Sequence, residues 1–308
     1  MSNSNKIKSI ALLGTGLMGR PMAVRILNAG YSLSVWNRTV AKVRPLLDLG
    51  AKGAATPSEA AAGADLLITM LADGPTVSHV LFDNGVADAL SPGSIVVDMS
   101  SIPPSMARDH AERLAKTKIL HLDAPVSGGT KGAAEGTLAI MVGGTAEAFE
   151  ISMPALRSMG RPTLVGKSGS GQLAKLANQT IVAITIGAVS EALLLASTGG
   201  ADPQKVREAL SGGFADSLIL KLHGQRMLDR DFMPGGPTRM QVKDLRTILE
   251  TAKNSGLELP VTETITAMYE DLLESGYGEC DHSAVLLELE RRNVGKRLGI
   301  KPDQIPSD

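Results

Sequence analysis

Apolar and polar residues in the first half of the chain alternate in the rhythm of strands followed by helices. Short apolar runs predict buried strands, and apolar residues repeating every three or four positions predict amphipathic helices. This rhythm is typical of a parallel sheet covered on both faces. The predicted strands are Ile7–Leu13, Ser32–Trp36, Asp65–Leu71, Ser94–Met99, Lys118–Asp123, Leu138–Val142 and Thr163–Val165, and the predicted helices are Pro21–Ala29, Val40–Leu49, Ser58–Ala62, Val77–Phe82, Ser105–Ala115 and Ala146–Ser158.

The second half lacks convincing strand patterns and predicts helices instead. A break of small residues at Lys167–Gly171 separates the two halves. The sequence therefore predicts a doubly wound α/β domain over 1–167 and an all-helical domain over 168–308. The predicted helices after the break, besides a long one starting near Gly171, are Pro203–Ser211, Leu218–Leu228, Met240–Ser255, Thr262–Ser275 and Ser283–Asn293.

The long helix ends at Thr198 and carries apolar residues on most faces, so we expect it to be buried all round. Lys175, Asn178 and Gln179 lie at positions i, i+3 and i+4 and share one face of its first turns. Burying a lysine lowers the pKa of its ammonium towards values useful for proton transfer, which makes Lys175 a catalytic candidate. The alternative is a lysine that extends from the helix end into solvent. The apolar repeat that predicts the helix is Leu173, Leu176, Ala177, Ile181, Ile184 and Ala188.

Composition narrows the function classes. The 308 residues are 43% hydrophobic and 3% aromatic with a net charge of -1, so neither nucleic acid nor a membrane surface is an expected partner. The uncharged apolar run Leu176–Ser190 is shorter than the roughly 20 residues that span a bilayer. Cys280 is the single cysteine, and the N-terminus has no signal-peptide pattern. We therefore expect a cytoplasmic protein.

A glycine-rich turn follows the first predicted strand. Gly14, Gly16 and Gly19 form a G-x-G-x-x-G pattern between a strand and a helix, which is the context of a dinucleotide-binding turn. The alternative is a plain glycine turn. The expected cofactor contacts at this turn are Gly14, Thr15, Gly16, Leu17, Met18 and Gly19.

The end of the second strand carries information about the cofactor. NAD sites place an acid there, whereas an arginine accommodates the 2′-phosphate of NADP. The sequence has Asn37, Arg38 and Thr39 and no acid, so NADP is predicted, with NAD still possible. The alternative is a solvated turn arginine. Because ligands bind beyond the carboxyl ends of such strands, further cofactor contacts are predicted at Leu71, Ala72, Thr76 and Ser101.

One more strand end carries Ser127, Gly128 and Gly129. Successive backbone N–H groups in such a segment form a concave anion site that fits a substrate carboxylate. The alternative is a polar loop that closes a strand. The G-x-S-x-G pattern of a hydrolase nucleophile is absent around Ser127. No metal is predicted, because no cluster of His, Asp and Glu is evident and the histidines lie outside every motif, at His79, His110, His121, His223 and His282.

The chain resembles the β-hydroxyacid dehydrogenase family, which contains the 3-hydroxyisobutyrate dehydrogenases and tartronate semialdehyde reductases. The resemblance covers essentially the whole chain and rests on four motifs in the family's order. These begin at Gly14, Asp123, Gly171 and Lys243, and they read Gly14-x-Gly16-x-Met18-Gly19-x-x-Met22, Asp123-Ala-Pro-Val-Ser127-Gly128-Gly129, Gly171-x-x-x-Lys175-x-x-Asn178 and Lys243-Asp244-Leu245.

The resemblance implies a Rossmann domain, an all-helical domain, a long helix joining them, and homodimers or homotetramers built through the helical half. It also implies that Lys175 is the general acid/base, Ser127–Gly129 hold the substrate carboxylate, Asn178 assists substrate binding and Lys243 approaches the cofactor. By the sequence pattern alone, Lys243 and Asp244 would be an ordinary surface charge pair. The expected substrate is a small carboxylate-bearing aldehyde or hydroxyacid.

Several details bear on the choice among relatives. The segment around Asn178 is most similar to the tartronate semialdehyde reductases, which would give glycerate as product. Gly236 stands where relatives commonly have an aromatic residue, so 3-hydroxyisobutyrate, succinic semialdehyde, glyoxylate and serine remain alternative substrates. Asn178 argues against a 6-phosphogluconate dehydrogenase, and Lys175 against an imine reductase. A non-catalytic NADP-binding scaffold or sensor is the alternative of another class.

Overall fold

The computed structural model describes residues 7–306. The chain divides after Lys175 into two compact units, and the division falls inside one continuous helix, Ser170–Thr198. The domain limits predicted from the sequence, 1–167 and 168–308, stay a prediction.

A mostly parallel sheet forms the centre of the first unit, as predicted. Its strands are β1 Ser9–Leu13, β2 Ser32–Trp36, β3 Lys52–Gly53, β4 Leu66–Thr69, β5 Ile95–Asp98, β6 Leu120–Asp123, β7 Val126–Ser127, β8 Leu138–Gly144 and β9 Gly160–Gly166. In the described range the order is β3-β2-β1-β4-β5-β6-β8-β7, with β9 beside β8. The pairs from β3 through β6 are parallel, whereas β8 runs antiparallel to β6 and β7. The order reverses between β1 and β4, which is where a doubly wound sheet binds its ligand.

Helices cover both faces of this sheet. In β1, Ile10 and Leu12 pack into the core on one face, and Ala11 and Leu13 into the core on the other. Strands buried on both faces explain why the sequence shows continuous apolar runs rather than alternation. The helices are α1 Gly19–Asn28, α2 Arg44–Leu47, α3 Pro57–Ala61, α4 Gly74–Ser78, α5 Val86–Ala89, α6 Pro104–Ala115, α7 Gly129–Glu135 and α8 Ala146–Arg157.

Two predicted helices differ from the structure. The predicted helix Val40–Leu49 is a 3₁₀ turn, Val40–Lys42, followed by the short α2, because Pro45 lacks the N–H that a continuous helix would need. The helix predicted at Val77–Phe82 is α4 followed by a π-helical turn, His79–Asp83. The sequence did not predict β7 and α7, which meet at Gly128.

The helix Ser170–Thr198, α9, has the predicted position, but the expectation that it is buried all round is wrong. Only 39% of its most apolar stretch is buried. The buried face includes Leu176, whereas Ile181 is 66% exposed and Leu195 74% exposed. The apolar repeat predicts a helix correctly, but it does not show which apolar face of the helix is covered by other parts of the protein.

By length and composition α9 could cross a membrane, which is weak evidence because core helices pass the same test. The expected absence of a membrane partner therefore stays a prediction.

The second unit is helical, as predicted. Besides the larger part of α9 it contains α10 Pro203–Leu210, α11 Leu218–Asp229, α12 Thr238–Asn254, α13 Pro260–Glu274, a 3₁₀ turn His282–Ala284 and α14 Val285–Arg292. Its core is one cluster of aliphatic and aromatic side chains from these helices. The fully buried Arg230 guanidinium binds Glu290 at 2.5 Å and Asp303 at 2.6 Å. Arg230 thereby fixes the C-terminal segment to the end of α11.

Candidate active site

The glycine turn lies between β1 and α1, and the backbone itself requires two of its glycines. Gly14 has φ +103°, and a Cβ there would lie 2.2 Å from the Met70 carbonyl oxygen. A Cβ on Gly19 would lie 1.8 Å from the Gly14 carbonyl oxygen, so only glycine allows this close packing. A Cβ on Gly16 would meet nothing within 4 Å. Gly16 therefore presents bare backbone to open space, as a bound pyrophosphate requires.

A cavity of about 790 Å³ opens in front of this turn, and its volume is within the range of cofactor sites. The first turn of α1 contains no acidic residue, so its unpaired N–H groups and dipole favour a phosphate. Cavity size, bare backbone and helix N-terminus together fit a dinucleotide. The lining residues come from the glycine turn, α1, the segment after β2 and α7, and they are Thr15, Gly16, Leu17, Arg20, Pro21, Val24, Ala41, Lys42, Pro45, Thr130 and Ala134.

The turn after β2 braces the glycine turn. Asn37 Oδ1 accepts the Thr15 backbone N–H at 3.0 Å, and Asn37 Nδ2 donates to the Thr39 carbonyl oxygen at 3.0 Å. Thr15 Oγ1 also donates to the Lys42 carbonyl oxygen at 3.2 Å. Asn37 thus holds the two turns together, and Arg38 is exposed beside it. The arrangement leaves Arg38 accessible to a 2′-phosphate.

A buried carboxyl group organises the ends of β4 and β5. Asp98 Oδ1 accepts the Thr69 hydroxyl at 2.8 Å and the Ser100 N–H at 3.0 Å. Ser100 Oγ in turn accepts the Leu71 N–H at 2.9 Å. Burial raises the pKa of Asp98 to about 6, and its Oδ2 has no partner within the described chain. Asp98 therefore shapes the segment in which cofactor contacts at Leu71, Ala72 and Ser101 are predicted.

Thr76, another predicted cofactor contact, has a local structural role. Its N–H and its hydroxyl donate to Asp73 Oδ1 at 2.9 and 2.6 Å, so Thr76 takes part in capping α4. A contact between Thr76 and the cofactor stays a prediction.

A second buried carboxylate, Asp123 at the end of β6, fixes the start of α9. Asp123 Oδ1 accepts the Gly169 N–H and Oδ2 accepts the Gln172 N–H, both at 2.8 Å. A Cβ on Gly171 would lie 2.3 Å from the Asp123 carbonyl oxygen, so this glycine of the third motif allows the helix to approach the strand. Burial raises the pKa of Asp123, opposed by these two N–H groups. The carboxylate thus anchors the turn that precedes Lys175.

The side chain of Gln172 adds a second connection between α9 and the sheet. Its Oε1 accepts the Ile102 N–H at 3.2 Å, and its Nε2 donates to the Ser100 carbonyl oxygen at 2.8 Å. Gln172 was not predicted as a functional residue from the sequence, although it lies inside the third motif. Lys175, one turn further along α9, is half-buried.

The predicted anion site lies at the junction of β7 and α7. Ser127 is half-buried and pairs with Ala139 of β8, whereas Gly128 and Gly129 are exposed. Their φ angles are +132° and +62°, which a side chain would strain. Since the first N–H groups of a helix have no partner within it, the start of α7 can accept a small anion.

A chain of polar contacts in the second unit joins three predicted or family-motif residues. Asn178 Nδ2 donates to Gln179 Oε1 at 2.9 Å, and Gln179 Nε2 donates to Asp244 Oδ2 at 2.7 Å. Lys243 Nζ lies 3.2 Å from Asp244 Oδ1. Asp244 is only 8% exposed, so this is not the ordinary surface pair that the sequence pattern alone suggested. The sequence placed Gln179 on the polar face of α9 but gave no sign of its partner.

Two family models match the chain. The model for the NAD binding domain of 6-phosphogluconate dehydrogenase matches residues 9–171. The model described as NAD-binding of NADP-dependent 3-hydroxyisobutyrate dehydrogenase matches residues 169–289.

Named relatives are similar over nearly the whole chain. The 2-hydroxy-3-oxopropionate reductase of Escherichia coli (strain K12) is 45% identical over 284 residues, which cover 91% of this chain and 97% of that protein. The NAD-dependent L-serine dehydrogenase of Pseudomonas aeruginosa is 35% identical, with the same two coverages, 91% and 97%. Among solved structures, the Mycobacterium tuberculosis 3-hydroxyisobutyrate dehydrogenase with L-serine has a TM-score of 0.83 at 29% identity, covering 92% of this chain and 99% of that one.

Proposed function

The chain belongs to the β-hydroxyacid dehydrogenase family, the 3-hydroxyisobutyrate dehydrogenase-like NAD(P)-dependent oxidoreductases, and from this we propose that it reduces tartronate semialdehyde to glycerate with NADPH. Family members named above are dehydrogenases and reductases, so the chain is an enzyme acting on a hydroxyl group or its carbonyl counterpart. A non-catalytic scaffold is not supported.

The position of Asp123 carries the mechanistic part of the proposal, because the segments of Lys175 and of the anion site both adjoin it. Asp123, at the end of β6, caps the turn of α9 that leads to Lys175. The same strand end continues through two residues into β7 and the Ser127–Gly129 segment. One short stretch of the first unit thus leads both to Lys175, the proposed proton donor, and to Ser127–Gly129, the proposed carboxylate cradle, which supports the proposal.

Each residue has a defined part in the proposed reaction. The nicotinamide, when bound, supplies the hydride that reduces the aldehyde carbon. The backbone at Ser127–Gly129 holds the substrate carboxylate, and Asn178 binds the substrate. The Lys175 ammonium gives a proton to the developing alkoxide oxygen, and in oxidation the neutral amine takes it back. We assign Lys243 to the cofactor.

NADP is the proposed cofactor, with NAD possible. Arg38 is exposed beside the glycine turn, and Asn37 occupies a position where NAD enzymes have an acid. One matching family model is described as NADP-dependent. The L-serine dehydrogenase relative, in contrast, is named as NAD-dependent.

The substrate assignment rests on the 45% identity with the E. coli reductase. L-Serine is the second candidate, because it is named with the dehydrogenase relative and with the M. tuberculosis structure. Small semialdehydes and 3-hydroxyisobutyrate complete the set of candidates within the family.

We also propose that the protein is a cytoplasmic homodimer or homotetramer. The exposed apolar face of α9 supports self-association, because a surface of this kind is rarely left in water. It includes Leu173, Ile181 and Leu195.

A substrate panel tests the proposal. Initial rates with NADPH and with NADH should be measured for tartronate semialdehyde, succinic semialdehyde, glyoxylate and methylmalonate semialdehyde, and with the oxidised cofactors for serine and 3-hydroxyisobutyrate. We expect the highest kcat/KM for tartronate semialdehyde with NADPH. The amide of the best acid should be a poor substrate, because it leaves the N–H groups at Ser127–Gly129 without a charged partner. A higher kcat/KM for serine than for tartronate semialdehyde would contradict the proposed substrate assignment. Equal kcat/KM values for the acid and its amide would contradict the proposed carboxylate cradle.

A further inference from the structure

Two histidines and an aspartate meet in the second unit, away from every motif discussed so far. His223 on α11 and His282 on the 3₁₀ turn face each other with their Nε2 atoms 2.8 Å apart. Asp281 is the third member, and one potential ligand atom of each residue lies within 4.8 Å of the others. The two histidines are 59 positions apart, which explains why no cluster was evident from the sequence.

The hydrogen-bond partner of His282 defines which of its nitrogens can bind a cation. His282 Nδ1 lies 3.1 Å from Gln241 Oε1, a carbonyl oxygen that can only accept. His282 Nδ1 therefore carries the proton, and the Nε2 lone pair points towards His223. Metal-binding histidines usually donate their second ring N–H to just such an oxygen, which fixes the orientation of the ring.

His223 differs from His282 in the environment of its second ring nitrogen. Its Nδ1 is buried and has no partner within the described chain. Two Nε2 atoms only 2.8 Å apart must share one proton or bind one cation, since two lone pairs in direct contact repel. Neutral imidazole is also the form that binds metals.

Asp281 supplies negative charge rather than an open coordination position. Its Oδ2 accepts the N–H groups of Gly235 and Gly236 at 3.1 and 2.9 Å. Its Oδ1 accepts the N–H and hydroxyl of Ser283 at 3.0 and 2.7 Å. Arg226 Nε lies 3.6 Å from Oδ1 and offsets part of the charge. The carboxylate is thus occupied, but it remains an anion within 4.8 Å of the histidine nitrogens.

We propose that His223 and His282 bind a late first-row divalent metal ion through their Nε2 atoms, with Asp281 as the neighbouring counter-charge and water completing the coordination. Imidazole nitrogen suits Zn²⁺, Ni²⁺ and Cu²⁺. Two bonds of about 2.0–2.1 Å at a tetrahedral angle place the nitrogens roughly 3.3 Å apart, so the rings need to separate by only about 0.5 Å. The ion would link α11, the 3₁₀ turn and, through Gln241, α12.

Metal titration of the full-length protein tests this site. The protein is treated with a chelator, dialysed, and titrated with Zn²⁺ in a calorimeter, and its melting temperature is recorded with and without Zn²⁺. We expect one ion per chain and a higher melting temperature, because an ion that binds only the folded state stabilises it. His223→Asn and His282→Asn should each weaken Zn²⁺ binding by about 100-fold or more. Gln241→Leu, which retains both ligands, should weaken it by roughly 10- to 100-fold.

His79→Asn is the matched control, because His79 is exposed on the first unit and contacts Asp83 only at the surface. Its Zn²⁺ affinity should equal that of the wild type. Equal Zn²⁺ affinity in His223→Asn and the wild type would overturn the proposed site. A wild type that binds no Zn²⁺ would also overturn it, and the two histidines would then only share a proton. If a variant does not fold, Co²⁺ added to the wild type decides the matter. Visible absorption bands of Co²⁺ bound to nitrogen are expected, and their absence contradicts the proposal.

Discussion

Gln179 Nε2 donates a 2.7 Å hydrogen bond to Asp244 Oδ2, and this contact joins the polar face of α9 to the Lys243–Asp244 pair of α12. Asn178 donates a hydrogen bond to Gln179, and Lys243 forms an ion pair with Asp244. One buried carboxylate therefore orients two residues that we assign to substrate and cofactor.

The coupling between Gln179 and Asp244 can be measured with a double-mutant cycle. Gln179→Leu leaves the buried carboxylate without one donor, which should cost about 1–3 kcal/mol of unfolding free energy. Combining it with Asp244→Leu should cost less than the sum of the two single changes, with a coupling energy of about 0.5–3 kcal/mol. Urea denaturation gives these values, and the KM for NADPH should rise in both single variants.

Gln204→Leu is a suitable control, because Gln204 lies on α10 in an exposed pair with Glu208. It should change stability by no more than about 0.5 kcal/mol. Additive effects of Gln179→Leu and Asp244→Leu would show that the contact does not connect the two helices energetically.

Asp98 should make stability fall as pH rises. Burial raises the pKa of Asp98 to about 6 from an ordinary value of 3.8, so between these values the folded state keeps a proton that the unfolded state has lost. Its stabilising contribution is complete below about pH 4 and is lost as pH rises through about 6, a change of about 3 kcal/mol. Asp98→Asn is neutral at every pH and retains an oxygen acceptor for Thr69 and Ser100. Relative to the variant, the wild type should therefore lose stability between pH 4 and 7.5 in urea denaturation. Parallel curves would contradict the prediction.

His121 should make stability fall as pH falls, the opposite of the effect of Asp98. Burial, and next the neighbouring His110, lower the pKa of His121 to about 3, and neither ring nitrogen has a partner within the described chain. The folded state keeps the ring neutral while the unfolded state protonates near pH 6.5. The contribution is therefore present above pH 6.5 and is lost as pH falls, by roughly 3 kcal/mol between pH 6.5 and 4. His121→Leu should remove this acid sensitivity, measured as the melting temperature at pH 4.5 and 7.5. An unchanged difference between the two temperatures would show that His121 is not its source.

The strands and the glycine turn could be predicted because local rules determine them. β2 has the predicted bounds Ser32–Trp36, and Gly14 and Gly19 lie where the close backbone contacts require glycine. The apolar repeat of α9 predicts the helix, but its exposed side includes Ile181, because periodicity does not say which face the rest of the chain covers. The sequence could not identify the partner of Asp123, because Gly169 lies 46 positions away.

Cofactor preference can be tested at the turn after β2. Arg38→Asp removes a partner for the 2′-phosphate and adds a repelling charge, so kcat/KM with NADPH should fall roughly 10- to 100-fold more than with NADH. Arg44→Asp, the same charge change at an exposed position on α2, should affect the two cofactors equally. Native kcat/KM that is higher with NADH would show that Arg38 does not select NADP.

The proposed mechanism depends most directly on Lys175. Reduction of an aldehyde leaves an alkoxide that needs a proton, and general acid catalysis is worth about 10²–10⁴-fold. Lys175→Ala should therefore lower kcat by that factor, while NADPH binding, measured by fluorescence titration, and the melting temperature stay near native. Lys175→Arg should fail almost as badly, because a guanidinium does not release its proton to the alkoxide or accept one back. Lys167→Ala is the matched control, since Lys167 is exposed just before α9 and should keep native kcat. A folded Lys175→Ala enzyme that binds NADPH and turns over at the native rate would overturn the mechanism and leave the family assignment intact.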